Sequence, residues 1–224
     1  MSAALIREFV DESVQPGICG FLHVPETPNG QALILSHGAG SNSRAPLLIA
    51  LAETFAATGS TVLRCDLPFR QVRSWGPPGP GDAARDRAGL KNALAALRTM
   101  VSGELFLGGH SYGGRQSSML CAEEPDLVAG LLLLSYPLHP PRKPEQMRTQ
   151  HLPDLRTATL FVQGTRDPFG SISEIEQALK MVPGKTKLVP VEGAGHDLGF
   201  KGKTRKEELP KLILSEATTF FQQS

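Results

Sequence analysis

The sequence predicts an α/β fold with a doubly wound, mostly parallel sheet of about eight strands, and three features predict it. Residues 32–36, 61–65, 104–108, 130–134, 158–163 and 186–191 are short, continuous apolar runs, the pattern of parallel strands covered on both faces. Between them, Leu48, Leu51, Ala52 and Phe55, and again Leu90, Ala93, Leu94 and Leu97, recur at i, i+3, i+4 and i+7, the apolar stripe of an amphipathic helix. Strand and helix therefore alternate, and right-handed crossovers wind such a chain into a two-sided sheet that places ligands outside the carboxyl ends of its strands.

Taken in order, residues 8–14 and 18–24 are β-type runs separated by Gln15-Pro16-Gly17, a turn signal that makes them an antiparallel hairpin opening the sheet. Gly76-Pro-Pro-Gly-Pro-Gly81 is short enough to be a surface loop between strand and helix. Between residues 136 and 157, Pro137, Pro140, Pro141, Pro144 and Pro153 break any helix longer than one turn, so no lid domain is expected there. Ser171 with Glu174 forms a capping box for a helix that turns Ile175, Ala178 and Leu179 inward. Pro210 suits the first turn of a last helix ending near Phe221. No repeat or linker divides the chain, and residues 1–224 are read as a single domain.

Composition narrows the function classes. A formal charge of +1 gives no field for nucleic acid or an anionic membrane. The apolar stretch 127–134 is far shorter than the roughly 20 residues that span a bilayer. The N-terminal Met1-Ser-Ala-Ala-Leu-Ile meets Arg7 and Glu8 at once, unlike a secretory signal. Cys19, Cys65 and Cys121 are odd in number and far apart, which suits a reducing compartment, so a cytoplasmic protein is expected. No zinc-type ligand spacing and no Gly-rich nucleotide motif is present, so no metal and no cofactor is implied. Oligomeric state is left open.

The chemistry concentrates at Gly109-His110-Ser111-Tyr112-Gly113, which follows an apolar run and precedes a helical stretch. That is the strand, turn and helix context of a Gly-x-Ser-x-Gly nucleophile elbow, in which a sharp turn thrusts the serine into solvent. A serine hydroxyl needs a base, and in this arrangement the order is Ser, then Asp or Glu, then His. Asp167, in Gly164-Thr-Arg-Asp-Pro168, and His196, in Gly193-Ala-Gly-His196, satisfy the order just past two later strands. A turn aspartate and a loop histidine are the bland alternatives. The preceding run ends Ser135-Tyr136-Pro137, without a rival acid. An oxyanion hole would take the N–H of Tyr112 and that of Ala39 in His37-Gly38-Ala39-Gly40.

His37, His139 and His151 are candidates to line the pocket, although His37, like His110, also suits a structural support of its loop. Arg70, Arg73 and Arg115 could face an anionic substrate, with solvated loop and helix positions as the commoner alternative. The basic segment 201–206 reads as a solvated face.

Six segments carry a family resemblance: Ser36-His-Gly-Ala-Gly40, Arg64-Cys-Asp-Leu-Pro-Phe-Arg70, Gly108-Gly-His-Ser-Tyr-Gly-Gly114, Tyr136-Pro-Leu-His-Pro-Pro141, His151-Leu-Pro153 and Phe161-Val-Gln-Gly-Thr-Arg-Asp-Pro168. With them the chain resembles the α/β-hydrolase family of testis-expressed protein 30 and the third regulatory subunit of the NSL complex. More distantly it is similar to dienelactone hydrolases, with Ser111 where those carry a cysteine nucleophile. The resemblance implies the α/β-hydrolase fold and the triad Ser111, Asp167 and His196. Together these readings predict a serine hydrolase, carboxylesterase-like, acting on a small-molecule ester, thioester or amide through an acyl-enzyme. Acyl transfer on the same residues and a catalytically idle scaffold of the same fold are the rival readings.

Overall fold

The structure, a computed structural model, describes residues 4–200 and 203–222; residues 1–3 of the opening segment and 201–202 of the basic segment lie outside them. Eight strands form one sheet: β1 (Leu5–Asp11), β2 (Ile18–Val24), β3 (Ala32–Ser36), β4 (Thr61–Cys65), β5 (Leu105–His110), β6 (Gly130–Leu134), β7 (Thr159–Gly164) and β8 (Thr186–Val191). Their spatial order is β1-β2-β4-β3-β5-β6-β7-β8. β2 runs antiparallel to β1 and β4, and the remaining pairs are parallel. The helices are α1 (Pro46–Ala56), α2 (Pro68–Val72), α3 (Asp82–Arg98), α4 (Tyr112–Glu123), α5 (Ile172–Leu179) and α6 (Lys203–Phe221), with one 3₁₀ turn at Leu152–Asp154.

Successive side chains of the central strands enter opposite layers, which explains why these strands read as unbroken apolar runs. Ile34, Leu63, Leu107, Leu131, Leu133 and Phe161 pack with Leu90, Leu94 and Leu97 of α3 and Leu120 of α4. Leu33, Leu35, Val62, Leu132, Leu134, Leu160 and Val162 pack with Leu48 and Leu51 of α1 and Leu209, Ile213 and Phe220 of α6 on the other face. Burying a leucine in such a layer contributes roughly 1.5–3 kcal/mol relative to leaving it in water.

Four elements depart from expectation. β1 begins and ends three residues earlier than the apolar pattern suggested, because the Asp11 carboxylate accepts the Ser13 N–H at 2.9 Å and turns the chain before the Pro-Gly pair. The five-residue α2 was not anticipated; it starts at Pro68, whose fixed φ suits a first turn. β5 continues to His110, two residues past the expected end, and delivers the chain directly into Ser111. Pro210 lies inside α6 rather than in its first turn. A proline there forfeits one intrahelical bond, and burial of Leu209, Ile213, Ala217 and Phe220 against the sheet holds the helix across it.

The strand order places the site. From β3 the chain moves outward to β4 and then returns to the opposite side of β3 as β5, so the crossovers diverge between β3 and β5, the position at which α/β sheets bind ligands. Ser36 pairs with Gly109 across that junction, and the loop after β3 therefore faces the turn after β5.

Candidate active site

Ser111 sits between β5 and α4 with φ 53° and ψ −117°, the left-handed half of backbone space that non-glycine residues rarely occupy. Its N–H donates to the Leu134 carbonyl at 2.8 Å and its own carbonyl accepts the Arg115 N–H at 3.0 Å, which pins the turn from both sides. A Cβ on Gly113 would lie 2.6 Å from the His37 carbonyl oxygen and 2.5 Å from Ser36 Oγ. Only glycine lets α4 begin that close to the end of β3.

The three residues expected to act together meet here. His196 Nε2 lies 2.8 Å from Ser111 Oγ, and His196 Nδ1 lies 2.8 and 3.0 Å from the two oxygens of Asp167. Asp167 is 5% exposed, and the Phe169 N–H (2.9 Å) and Gln163 Nε2 (3.1 Å) also donate to its carboxylate. Those donors orient the carboxylate toward the imidazole. The carboxylate holds the Nδ1–H tautomer and leaves the Nε2 lone pair facing the serine hydroxyl. Close passage of the two loops depends on Gly164, where a Cβ would lie 2.5 Å from the Gly195 carbonyl oxygen.

His196 is held on its remaining sides. The Phe169 ring stacks on it at 4.1 Å between centroids and 29° between planes. His110 Nε2–H donates to the His196 carbonyl at 2.7 Å, and burial brings the His110 imidazole down to about 4, so it stays neutral. Neither contact was legible as such: Phe169 carried no motif, and His110 offered only its place inside the elbow. Asp197, beside His196, accepts the Gly199 N–H of its own loop at 3.0 Å.

The loop after β3 is braced from below. His37 is fully buried; its Nδ1–H donates to the Gly38 carbonyl at 2.9 Å, and its Nε2 accepts the Leu67 N–H at 3.1 Å. Burial, against the Asp66 carboxylate and the Gly38 bond, keeps its pKa below the usual value. The Arg70 guanidinium donates to the carbonyls of Ser41 (2.8 Å), Ala39 (2.7 Å), Gly76 (2.9 Å) and Arg73 (3.1 Å). Asp66 accepts the Ser43 N–H at 2.7 Å and its hydroxyl at 3.0 Å. Ala39 itself lines the cleft, and the Gly38 carbonyl, in the same peptide unit as the Ala39 N–H, also accepts the Ser41 N–H at 3.0 Å. The Tyr112 N–H is in the first turn of α4, which has no intrahelical acceptor.

An open cleft of about 560 Å³ holds Ser111 and His196 together with Ala39, Tyr112, Pro77, Pro78, Arg115, Pro137, Arg148 and Phe169. The candidate pocket histidines do not line it. His37 lies beneath the loop. His139 is buried, its Nδ1–H donating to the Pro140 carbonyl at 2.9 Å. His151 Nε2 lies 2.9 Å from Ser118 Oγ and 3.3 Å from Tyr136 Oη, and burial first, then the nearby Arg115 and Arg87, depress its pKa to about 4. Of the three arginines singled out, only Arg115 reaches the cleft; Arg70 clamps the loop and Arg73 pairs with Asp82. The Pro-rich segment 76–81, expected to be only a surface loop, supplies one wall of the cleft through Pro77 and Pro78.

Among the described residues no helix is long and apolar enough to cross a membrane. Nor does any group of three or more His, Cys, Asp or Glu side chains among them have the arrangement of a metal site.

A two-sided sheet whose fifth strand turns sharply through a serine into a helix is the architecture of the α/β hydrolases, and residues 29–222 match the Alpha/beta hydrolase domain family, to which this chain belongs. A segment of 119 residues, 51% of this chain, is 32% identical to the 2-(acetamidomethylene)succinate hydrolase of Mesorhizobium japonicum, and the chain covers 39% of that relative's length. Among solved structures, the chain is similar to a dienelactone hydrolase from Anabaena variabilis, with a TM-score of 0.74 at 21% identity over 98% of both chains. It is also similar to an alpha-beta serine hydrolase homologue from Coxiella burnetii, with a TM-score of 0.71 at 18% identity over 94% of this chain and 96% of that one.

Proposed function

We propose that this chain is a serine hydrolase that cleaves small esters, with thioesters and amides as related substrates, through an acyl-enzyme. The observation that carries this reading is the unbroken line from Ser111 Oγ through His196 to Asp167, with both heavy-atom gaps at 2.8 Å, at the open cleft. A neutral serine hydroxyl does not attack an acyl carbon at useful rates near neutral pH. His196 Nε2 takes the hydroxyl proton as Ser111 Oγ bonds to the acyl carbon, and the negative charge passing to the carbonyl oxygen is held by the N–H groups of Tyr112 and Ala39. His196 then gives the proton to the departing alcohol, thiol or amine as its bond to the acyl carbon breaks. In the second half His196 takes a proton from water as the water oxygen bonds to the acyl carbon, then returns that proton to Ser111 Oγ as the acyl–Oγ bond breaks, and the acid leaves.

The hydrolase relatives support hydrolysis as the reaction class. We further propose that the chain stands near testis-expressed protein 30 within its family, on the six segments quoted above. The reading also includes a reducing, cytoplasmic setting, supported by three free thiols, of which Cys65 and Cys121 are buried. The test is hydrolysis of p-nitrophenyl acetate by the wild type and Ser111→Ala. The expected result is loss of all turnover above buffer in the variant, and residual activity comparable to wild type would remove Ser111 from the mechanism.

A further inference from the structure

We infer that the cleft is built for a substrate carrying a carboxylate, held by the guanidinium groups of Arg115 and Arg148 beside the Ser111 hydroxyl; this rests on the hydrolase reading above and deepens it.

Both arginines line the same cleft as Ser111 and His196. Arg115 is one helical turn after Ser111, its backbone N–H bonded to the Ser111 carbonyl at 3.0 Å, so it rises from the same end of α4 as the nucleophile. Arg148 comes from the Pro-rich segment after β6. That segment is fixed to the core: the Arg148 N–H donates to the Leu138 carbonyl at 2.8 Å, and the Tyr136 hydroxyl donates to the Arg148 carbonyl at 3.2 Å. The guanidinium is anchored by one bond, from Nη1 to the Pro137 carbonyl at 3.2 Å.

Among the described residues no carboxylate is paired with these charges, and Arg115 Nε is buried without a hydrogen-bond partner. Arg87, on the neighbouring helix α3, is by contrast paired with Glu123 and bonded to Gln116. The two cleft arginines are close enough that Arg115, after burial, is the main influence lowering the Arg148 pKa. Two half-buried cations lining one cleft repel each other, and an arriving anion offsets that repulsion. A carboxylate suits them because the guanidinium fork matches its planar oxygens in a bidentate bond. The first turn of α4, with its positive dipole end at the same cleft, favours the same sign.

The test pairs neutral esters with analogues in which a carboxylate replaces the terminal methyl: ethyl butyrate against monoethyl succinate for the acyl side, and ethyl acetate against acetoxyacetate for the alcohol side. In at least one pair the carboxylate member should have the higher kcat/KM, by about tenfold or more at low salt. That preference should shrink as ionic strength rises and fall to near parity in Arg115→Gln and in Arg148→Gln. Preference for the neutral member in both pairs, or a preference that survives both substitutions, would overturn the inference while leaving Ser111 as the nucleophile. If no ester is turned over, the hydrolase reading falls instead, and succinate decides the anion site alone. It should raise the melting temperature of the wild type and not of the Arg115→Gln/Arg148→Gln double variant; equal shifts, or none, would overturn the site.

Discussion

In the proposed mechanism Asp167 acts through one hydrogen atom, the proton on His196 Nδ1. An asparagine in its place can present an N–H to that nitrogen and favours the wrong imidazole tautomer, so Asp167→Asn should lower kcat by roughly 10⁴. Asp197→Asn, on a carboxylate that bonds its own loop, should change kcat by no more than about threefold, within the range of a substitution away from the reacting groups. Steady-state kinetics of the two variants check this, and the reverse ranking would move the acid to Asp197. Strain at Ser111 has its own signature. At φ 53° a glycine loses the Cβ penalty, so Ser111→Gly should abolish turnover while gaining about 1 kcal/mol, or some 2–4 °C in Tm by calorimetry. The buried histidines set the acid limit of the fold. His110 and His151 are held neutral down to about pH 4, whereas in the unfolded chain they take a proton near pH 6.5. The unfolded state therefore binds more protons throughout that window, and acid removes on the order of 2–3 kcal/mol per imidazole across it, with no contribution from these groups above it. Asp86, whose carboxyl is raised by burial, offsets part of that loss. Urea midpoints should fall steadily from pH 6.5 to 4.5, and a flat profile would contradict the burial of these rings.

The junction of β3, β5 and α4 shows what a motif discloses and what it hides. Gly113→Ala drives a methyl group into the His37 carbonyl and Ser36 Oγ, and should destabilise the chain by about 2 kcal/mol or more in denaturant unfolding while displacing Ser111. A methyl group added at Gly40, beyond the end of β3, would meet no atom within 4 Å, so Gly40→Ala should be near neutral in the same measurement. Equal costs at the two positions would mean that α4 does not pack against the end of β3. The glycines of the elbow were legible because their spacing is fixed by this contact. The central strands were legible because both their faces are buried, and the capping box of α5 because Ser171 and Glu174 satisfy each other, with Ser171 N–H to Glu174 at 2.9 Å. The shifted β1 was not, since its ends are set by the Asp11 side chain rather than by an apolar pattern. The three histidines assigned to the pocket misled for a related reason. Their polarity suggested solvent or substrate, yet each finds its partners in buried carbonyls, hydroxyls or an amide, which residue type alone does not reveal.

Across the molecule, the connection between β6 and β7 contains a single 3₁₀ turn, and the cleft is walled by Pro77, Pro78 and Pro137 rather than by a helical lid. Little apolar surface is available to cover an extended acyl chain, so added methylenes, each worth about 0.8 kcal/mol when buried, remain largely in water. Among neutral p-nitrophenyl esters kcat/KM should peak at acetate to butyrate and decline beyond, without activation at a lipid interface. A series rising through octanoate would mean that another part of the molecule supplies the missing wall. The mostly parallel sheet and the place of Ser111, Asp167 and His196 just past its strands followed from the alternation of patterns along the chain. The contents of the cleft did not, because Pro77, Arg148 and Phe169 reach it from three separate loops whose mutual approach no local pattern encodes. Intact-mass analysis after treatment with a fluorophosphonate probe bears most directly on the proposed chemistry. One phosphonyl adduct per chain is expected, located at Ser111 by peptide mapping and absent from Ser111→Ala. A folded wild type that gains no adduct, or gains it elsewhere, would contradict the serine-hydrolase reading and favour an idle scaffold of the same fold.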